Sequence, residues 1–377
     1  MTSSFKFELL HTSKHSRARV GRIHTPHGII NTPHFVAVGT NGVIKALESS
    51  MIEQLGVQLI FCNTYHLLVQ PGSEIVKQAG GIHTFMHRSM PIITDSGGFQ
   101  IFSLKYGSVH DELKSRGTKR PENSIIKIDE DGAVFRSYRD GTRIVLTPER
   151  SIQAQKEIGA DIMISFDELP PYHTTPQKLI RSVERTHRWE KRSLDEHHKN
   201  PNNQALYAVI HGGLDYDLRK KSCNYLTSLP FDGFAIGGSL GKTRQDMFEL
   251  LKFVMPHLPI DKPNHLLGIG DRLSMEECIK QGIDTFDSSH PTKAARHGLL
   301  FTKNGMIRAL RSGNATHFRP IEDDCTCPTC QKYTLAYLCH LFKAKELTAF
   351  MLASIHNVHF MVQWMNRVRE QILNDEL

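Results

Sequence analysis

No stretch of this 377-residue chain reaches the roughly 18 consecutive apolar residues that span a bilayer, so a membrane-spanning protein is not expected. The opening residues, Met1-Thr2-Ser3-Ser4-Phe5-Lys6-Phe7-Glu8, lack the apolar segment of a secretory signal. Internal repeats, low-complexity tracts and flexible linkers are also missing. Cysteine is scarce and odd in number: there are 7, three of them crowded between Cys325 and Cys330. That pattern excludes a disulfide framework and points to a reducing, cytoplasmic compartment and a metal site. Nor is there a strong excess of one charge. The 46 Lys+Arg against 39 Asp+Glu leave a formal charge of +7, which fits a nucleic-acid partner without requiring one. The length allows one large α/β domain or two ordinary ones.

What is present is a rhythm of short apolar runs. In order they are Phe35–Val38, Val57–Cys62, Pro91–Thr94, Asp161–Phe166, Ala205–Ile210, Gly233–Ile236, His265–Ile269 and the run Gly282–Phe286. Continuous rather than alternating apolar runs indicate strands buried on both faces, as in parallel sheets. Helical patterns lie between most of them, over Lys45–Leu55, Pro176–His197, Tyr216–Leu226, Arg244–Phe253 and Ser274–Gln281. Strands alternating with helices in this way predict an α/β fold, a (β/α)8 TIM barrel over residues 1–300. The long gap after the third run holds alternating Ser124–Ile128 and Ala133–Tyr138 around Asp129-Glu130-Asp131-Gly132. It reads as a hairpin insertion around 105–146. Residues 301–377 read as a metal-binding subdomain followed by a helical stretch, Tyr333–Arg369, packing back on the barrel.

Barrel enzymes build their sites at the C-terminal ends of the strands. Those ends are Thr40-Asn41, Asn63-Thr64-Tyr65-His66, Asp95-Ser96-Gly97-Gly98, Asp167-Glu168, His211-Gly212-Gly213, Gly237-Gly238-Ser239, Gly270-Asp271 and Asp287. Each residue alone could be a cap or a turn former; all of them in phase suggest one site. The densest window is Phe286-Asp287-Ser288-Ser289-His290-Pro291-Thr292-Lys293-Ala294-Ala295-Arg296. It joins a carboxylate at a strand end, able to act as a nucleophile, to cations able to hold phosphate. Asp95 and Asp287 across one pocket could divide glycosyl chemistry, one attacking an anomeric carbon and the other moving protons.

Cys325-Thr326-Cys327-Pro328-Thr329-Cys330 is C-x-C-x2-C, a zinc pattern. Spacing leaves the fourth ligand open among Cys339, His340, His356 and His359. A site closed by four ligands would be structural. Three functions remain compatible with these residues. One is glycosyl transfer on a nucleic acid with base exchange at a ribose. The others are a carboxylate glycoside hydrolase on a TIM barrel, and a non-catalytic zinc-containing RNA-binding partner subunit. Lys293 and Arg296 beside Asp287 favour the first.

The motifs Asp95-Ser96-Gly97-Gly98-Phe99-Gln100, Phe286-Asp287…Pro291-Thr292, Ala235-Ile236-Gly237-Gly238 and C-x-C-x2-C…His resemble the tRNA-guanine transglycosylases, from Ala18 to Asn357. The resemblance implies a barrel with an embedded zinc subdomain, usually a homodimer in bacteria. It implies exchange of the wobble guanine of tRNA for a 7-deazaguanine on the way to queuosine, in tRNAs with GUN anticodons (Asp, Asn, His, Tyr). It makes Asp287 the nucleophile and Asp95 the general acid/base. Ser96, Gly97, Gly98, Asp167, His211 and Gly238 become base-pocket residues, with Phe99 and Leu267 on the two faces of the base. Ile269-Gly270-Asp271-Arg272-Leu273-Ser274-Met275 and Thr292-Lys293-Ala294-Ala295-Arg296 match segments that bind the anticodon loop. Cys325, Cys327, Cys330 and His356 become ligands of one structural Zn2+.

The pocket departs from the usual bacterial pattern. Leu169 stands where Cys is usual, His211 replaces a base-binding Gln, Gly241 replaces Val, and Thr243 replaces a Glu that helps hold an aminomethyl ammonium. Loss of the Val side chain is expected to enlarge the pocket, and loss of the Glu to favour queuine over 7-aminomethyl-7-deazaguanine. Leu169 argues partly the other way.

Overall fold

The computed structural model describes residues 5–107 and 125–377. Eight parallel strands close into a barrel: His34–Val38, Ile60–Cys62, Ile92–Thr94, Ile162–Ile164, Ala205–Ile210, Gly233–Ile236, Asn264–Leu266 and Thr285–Ser288. Each overlaps one of the eight apolar runs, with bounds differing by up to three residues. The eighth closes against the first, with Phe286 opposite Phe35 and Asp287 opposite Val36. The barrel interior is packed with side chains, among them Val36, Phe61, Ile93, Ile164, Tyr207, Val209 and Ala235. Their alternate neighbours face the surrounding helices, so both faces of each strand lose contact with water.

The helices start where the chain can satisfy their free N–H groups. Thr147, Thr175 and Asp215 accept from the first turns of Pro148–Ile158, Pro176–Lys199 and Tyr216–Thr227. Thr243 and Asp246 form a reciprocal capping box on Arg244–Val254. The expected helix over Lys45–Leu55 is shorter, Ser49–Gln54, because Glu48 accepts from Ser50 N and Met51 N and begins the helix there. The expected stretch Tyr333–Arg369 is two helices, Leu335–Lys343 and Leu347–Leu373, broken where Lys345 turns to φ +59°.

Two elements escaped the sequence reading. Lys6–Thr12, Arg19–Thr25 and Gly28–Thr32 form an antiparallel sheet whose Ile23 and Ile30 belong to the same buried cluster as the barrel interior. A buried bidentate pair, Arg19 Nε and Nη2 to Asp284 at 2.9 and 2.6 Å, ties this sheet to the eighth strand. In the insertion, the hairpin Ile125–Ile128/Ala133–Arg136 gains a third strand, Arg143–Leu146. Ser124 and the rest of 108–124 lie outside the described residues. Leu347–Leu373 runs along the barrel, with Arg369 Nη1 donating to Pro33 O at 2.7 Å.

Candidate active site and metal centre

A cavity of about 700 Å3 opens at the C-terminal ends of the strands, within the range of small-molecule sites. Asp95, Ser96, Phe99, Asp167, Leu169, Gly238, Gly241, Leu267 and Asp287 all line it, drawn from five different strand ends. Phe99 is 45% exposed although aromatic, so one ring face is free for a planar ligand. The two carboxylates that the sequence singled out, Asp95 and Asp287, are both nearly buried at this cavity.

Asp287 is held asymmetrically. Gly268 N donates to its Oδ1 at 2.8 Å and His265 Nε2 lies 3.1 Å from the same atom. Oδ2 has no hydrogen bond among the described residues, which leaves a lone pair available for attack. Asp95 is held at both oxygens, by Asn63 Nδ2 at 2.6 Å and Thr64 N at 2.7 Å. Burial pushes the Asp95 carboxyl up to about 6, against the pull of Asn63, Thr64 and Gln100 and with help from Asp167. A carboxyl in that range can give and retrieve a proton near neutral pH.

Asp167 is a fixed acceptor. Ser96 Oγ donates to Oδ1 at 3.0 Å, and His211 Nε2 lies 2.8 Å from Oδ2. His211 is almost fully buried and meets the cavity through Asp167, not as a lining group. Gly98 permits this packing, since a Cβ there would sit 2.6 Å from both Asp167 O and Oδ1. Gly97 stands behind the cavity wall at φ +87°, where a Cβ would lie 3.0 Å from Leu146.

Gly241 corrects an expectation. A Cβ on it would point at Asp246 Cβ, 2.2 Å away, with φ at +102°. The loop is drawn onto the start of helix Arg244–Val254, where Asp246 accepts from Lys242 N and Thr243 N at 2.9 Å each. Cavity space therefore does not arise from a missing side chain at 241. Thr243 is occupied in capping, and Lys242 Nζ lies 4.8 Å from the Tyr172 ring centroid.

The two segments expected to meet RNA split by burial. Met275, Ser274, Thr292, Ala294 and Ala295 are interior. Asp271 caps its helix, accepting from Ser274 N at 3.1 Å. Leu273 and Lys293 are exposed and Ile269, Arg272 and Arg296 half-exposed, while Gly270 is pressed against Ser288. Arg296 keeps one buried guanidinium nitrogen, Nη1, without a partner.

At the metal centre, His356 Nδ1 lies 3.7, 3.6 and 3.4 Å from the sulfurs of Cys325, Cys327 and Cys330. A tetrahedral zinc with Zn–S of about 2.3 Å and Zn–N of about 2.0 Å separates N and S by roughly 3.5 Å. The four groups thus fit that ion. His356 Nε2 donates to Phe301 O at 2.7 Å, which leaves Nδ1 bare toward the thiols. Cys339 is not in this group, and His359 instead meets Thr326 Oγ1 at 3.1 Å. A second cluster, His27, His83 and Asp161, has its imidazoles stacked with centroids 3.6 Å and planes 10° apart. In-plane lone pairs of parallel rings do not converge on one ion, so these two rings act as a clamp on the buried Asp161 carboxylate.

Residues whose sequence context carries no functional signal hold this site. Asn63 and Thr64 are in sequence only a strand end, and His265 only part of an apolar run, yet they fix Asp95 and Asp287. Arg219, in sequence only a charge in an amphipathic helix, donates to Ile210 O and Gly237 O beside the pocket.

Residues 14–377 match the family model described as queuine tRNA-ribosyltransferase. The chain is 63% identical over 371 residues to the queuine tRNA-ribosyltransferase of Protochlamydia amoebophila, covering 98% of this chain and 96% of that protein. It is 54% identical over 375 residues to the enzyme of the same name from Chlamydia muridarum, covering 99% and 100%. For the one from Chlamydia caviae the figure is 52% over 375 residues, with the same coverage.

Proposed function

The chain belongs to the queuine tRNA-ribosyltransferase family, pentosyltransferases of tRNA modification, and on that footing we propose a covalent double displacement at the wobble ribose. Asp287 Oδ2 donates its pair to C1′ as the C1′–N9 bond of guanine breaks. The departing base takes a proton from Asp95. A 7-deazaguanine then returns a proton to the Asp95 carboxylate as its ring nitrogen attacks C1′, and the C1′–O pair goes back to Asp287. Two inversions retain the configuration. Asp167, braced by Ser96 and His211, hydrogen-bonds the base, and Gly238 supplies backbone to it. Phe99 and Leu267 cover its faces.

The substrates on this reading are tRNAs with GUN anticodons, for Asp, Asn, His and Tyr. Extrusion of the wobble base costs a few kcal/mol, least in a single-stranded loop. Arg272, Lys293 and Arg296 meet the neighbouring phosphates. Queuine is the proposed donor base. That choice rests on Thr243, which offers no carboxylate for an ammonium, and on Lys242 nearby; Gly241 no longer contributes to it. One structural zinc per chain is held by Cys325, Cys327, Cys330 and His356, and no reaction step passes through it. Residues 1–300 serve as the catalytic barrel and 301–377 as the zinc subdomain. A homodimer, as the resemblance implies for bacterial members, is the proposed assembly. The cytoplasm, where tRNA and reduced thiols coexist, is the expected compartment; no described helix is long and apolar enough to cross a membrane.

The observation that carries the reading is Asp287, anchored by one oxygen and open at the other, in a cavity that also presents Asp95. The test is exchange of labelled guanine into anticodon stem-loop RNA, with denaturing gels for the covalent adduct. Asp287→Ala should lose both; retention of both would refute the mechanism.

A further inference from the structure

The seventh and eighth barrel strands run in parallel with His265 opposite Thr285 and Leu266 opposite Phe286. That register places the buried His265 ring between Thr285 and the Asp287 carboxylate. Nδ1 is 2.9 Å from Thr285 Oγ1, and Nε2 is 3.1 Å from Asp287 Oδ1. The ring also stacks on Phe61, with centroids 5.8 Å and planes 21° apart, which fixes its orientation.

A carboxylate oxygen has no hydrogen to give, so the contact at Asp287 Oδ1 is made by a hydrogen on Nε2. On the other edge Nδ1 meets Thr285 Oγ1, which also lies 3.1 Å from Asn264 O, so the ring is held from both sides. Gly268 N donates to the same Oδ1 at 2.8 Å, which favours negative charge on that atom over a hydroxyl.

We infer that His265 is a positioning residue for the nucleophile: donating from Nε2, it anchors Asp287 Oδ1, stabilises the carboxylate charge and leaves Oδ2 to attack. This rests on Asp287 being the nucleophile. When the Oδ2 pair forms the bond to C1′ and the base leaves with the C1′–N9 pair, the carboxylate becomes a neutral ester. The His265 proton stays on Nε2 throughout. An ester carbonyl accepts that hydrogen bond more weakly than a carboxylate does. His265 therefore holds down accumulation of the intermediate and makes Asp287 a better leaving group in the second displacement. A ring that served only packing would do neither.

His265→Phe keeps a flat ring against Phe61 and removes the donor, and His265→Gln restores a neutral N–H donor. Turnover and the adduct fraction are measured together on the full-length, zinc-loaded protein, with anticodon stem-loop RNA and labelled guanine. The Phe variant should exchange about 10- to 100-fold more slowly, the usual scale for a misplaced reacting group. At saturating RNA and fixed guanine its ratio of adduct to non-covalent complex should nevertheless rise about tenfold, as loss of one charge-assisted hydrogen bond implies. The Gln variant should fall between wild type and Phe in both. An adduct ratio unchanged or lowered in the Phe variant overturns the inference, whatever its turnover. Should zinc content and melting show the Phe variant unfolded, the adduct ratio of the Gln variant decides by the same criterion. Asp287→Ala separates the two claims. Exchange retained there removes the nucleophile itself; an inactive Asp287→Ala beside an unmoved adduct ratio at 265 removes only the positioning role.

Discussion

Arg219→Lys is the sharpest test of how the base pocket is built. Arg219 is fully buried, and its guanidinium donates to Gly213 O at 2.9 Å, Ile210 O at 2.6 Å, Gly237 O at 2.9 Å and Ser239 O at 3.0 Å. Burial lowers it only to about 10, so it remains a cation at neutral pH. These carbonyls flank His211, which steadies Asp167, and Gly238, which lines the cavity. The fork therefore holds the spacing of the two pocket loops beyond Gly237 N to Ile210 O, the backbone hydrogen bond at the end of the strand pair. A lysine keeps the charge but is shorter and not planar, and reaches about two of the four acceptors. Each lost hydrogen bond to a charged group is worth about 1.5–3 kcal/mol, so about 3–6 kcal/mol of stability should go. At about 2 °C per kcal/mol for a chain of this size, the melting midpoint should drop by about 6–12 °C. Calorimetry and urea midpoints would read the stability, and exchange kinetics the pocket. KM for guanine should rise more than kcat falls, because the loops position the base and do not attack it. A Lys variant within about 1 kcal/mol of wild type, with KM unchanged, would refute the argument.

Four further outcomes follow from the geometry. With Asp95 raised to about 6, adduct formation, which needs its acid form, should slow as pH rises through 6, while attack by the incoming base should speed up; single-turnover rates that move together would exclude the role. The same shift favours the native state below the unfolded value near 3.8, and that contribution is lost as pH rises through about 6. Wild type should accordingly lose about 3 kcal/mol relative to Asp95→Asn between pH 4 and 7, measured by urea midpoints. His356→Ala should lose the zinc by elemental analysis and destabilise the region around Phe301, whose carbonyl His356 holds, whereas Cys339→Ser should keep the metal. Gly241→Val should cost about 2 kcal/mol or more by breaking the Asp246 capping box, lowering exchange with queuine and with 7-aminomethyl-7-deazaguanine alike; a selective gain for the aminomethyl base would show that position 241 does face the donor.

The barrel was legible because its signals are local. Ala205–Ile210 and Gly233–Ile236 coincide residue for residue with their apolar runs, since a strand covered on both faces must be apolar throughout. The N-terminal sheet was not legible. Ile23 and Ile30 find their apolar surroundings only inside a barrel closed by residues far along the chain. The third strand of the insertion, Arg143–Leu146, escaped for the same reason: its pairing with Ala133–Arg136 is a tertiary choice.

The same division runs through the site. The order of residues alone set Asp95 and Asp287 at strand ends and gathered three thiols within six residues, because strand periodicity and ligand spacing are short-range properties. Tertiary structure decided which histidine completes the metal group, since His356 and His359 differ by one turn of a single helix and only the first faces the sulfurs. It placed His211 behind Asp167 and turned Gly241 toward Asp246. It also set His265 against the nucleophile, through a strand register written in neither strand by itself. Chain position determined which groups carry the chemistry; closure of the barrel decided which oxygen of each is free to perform it.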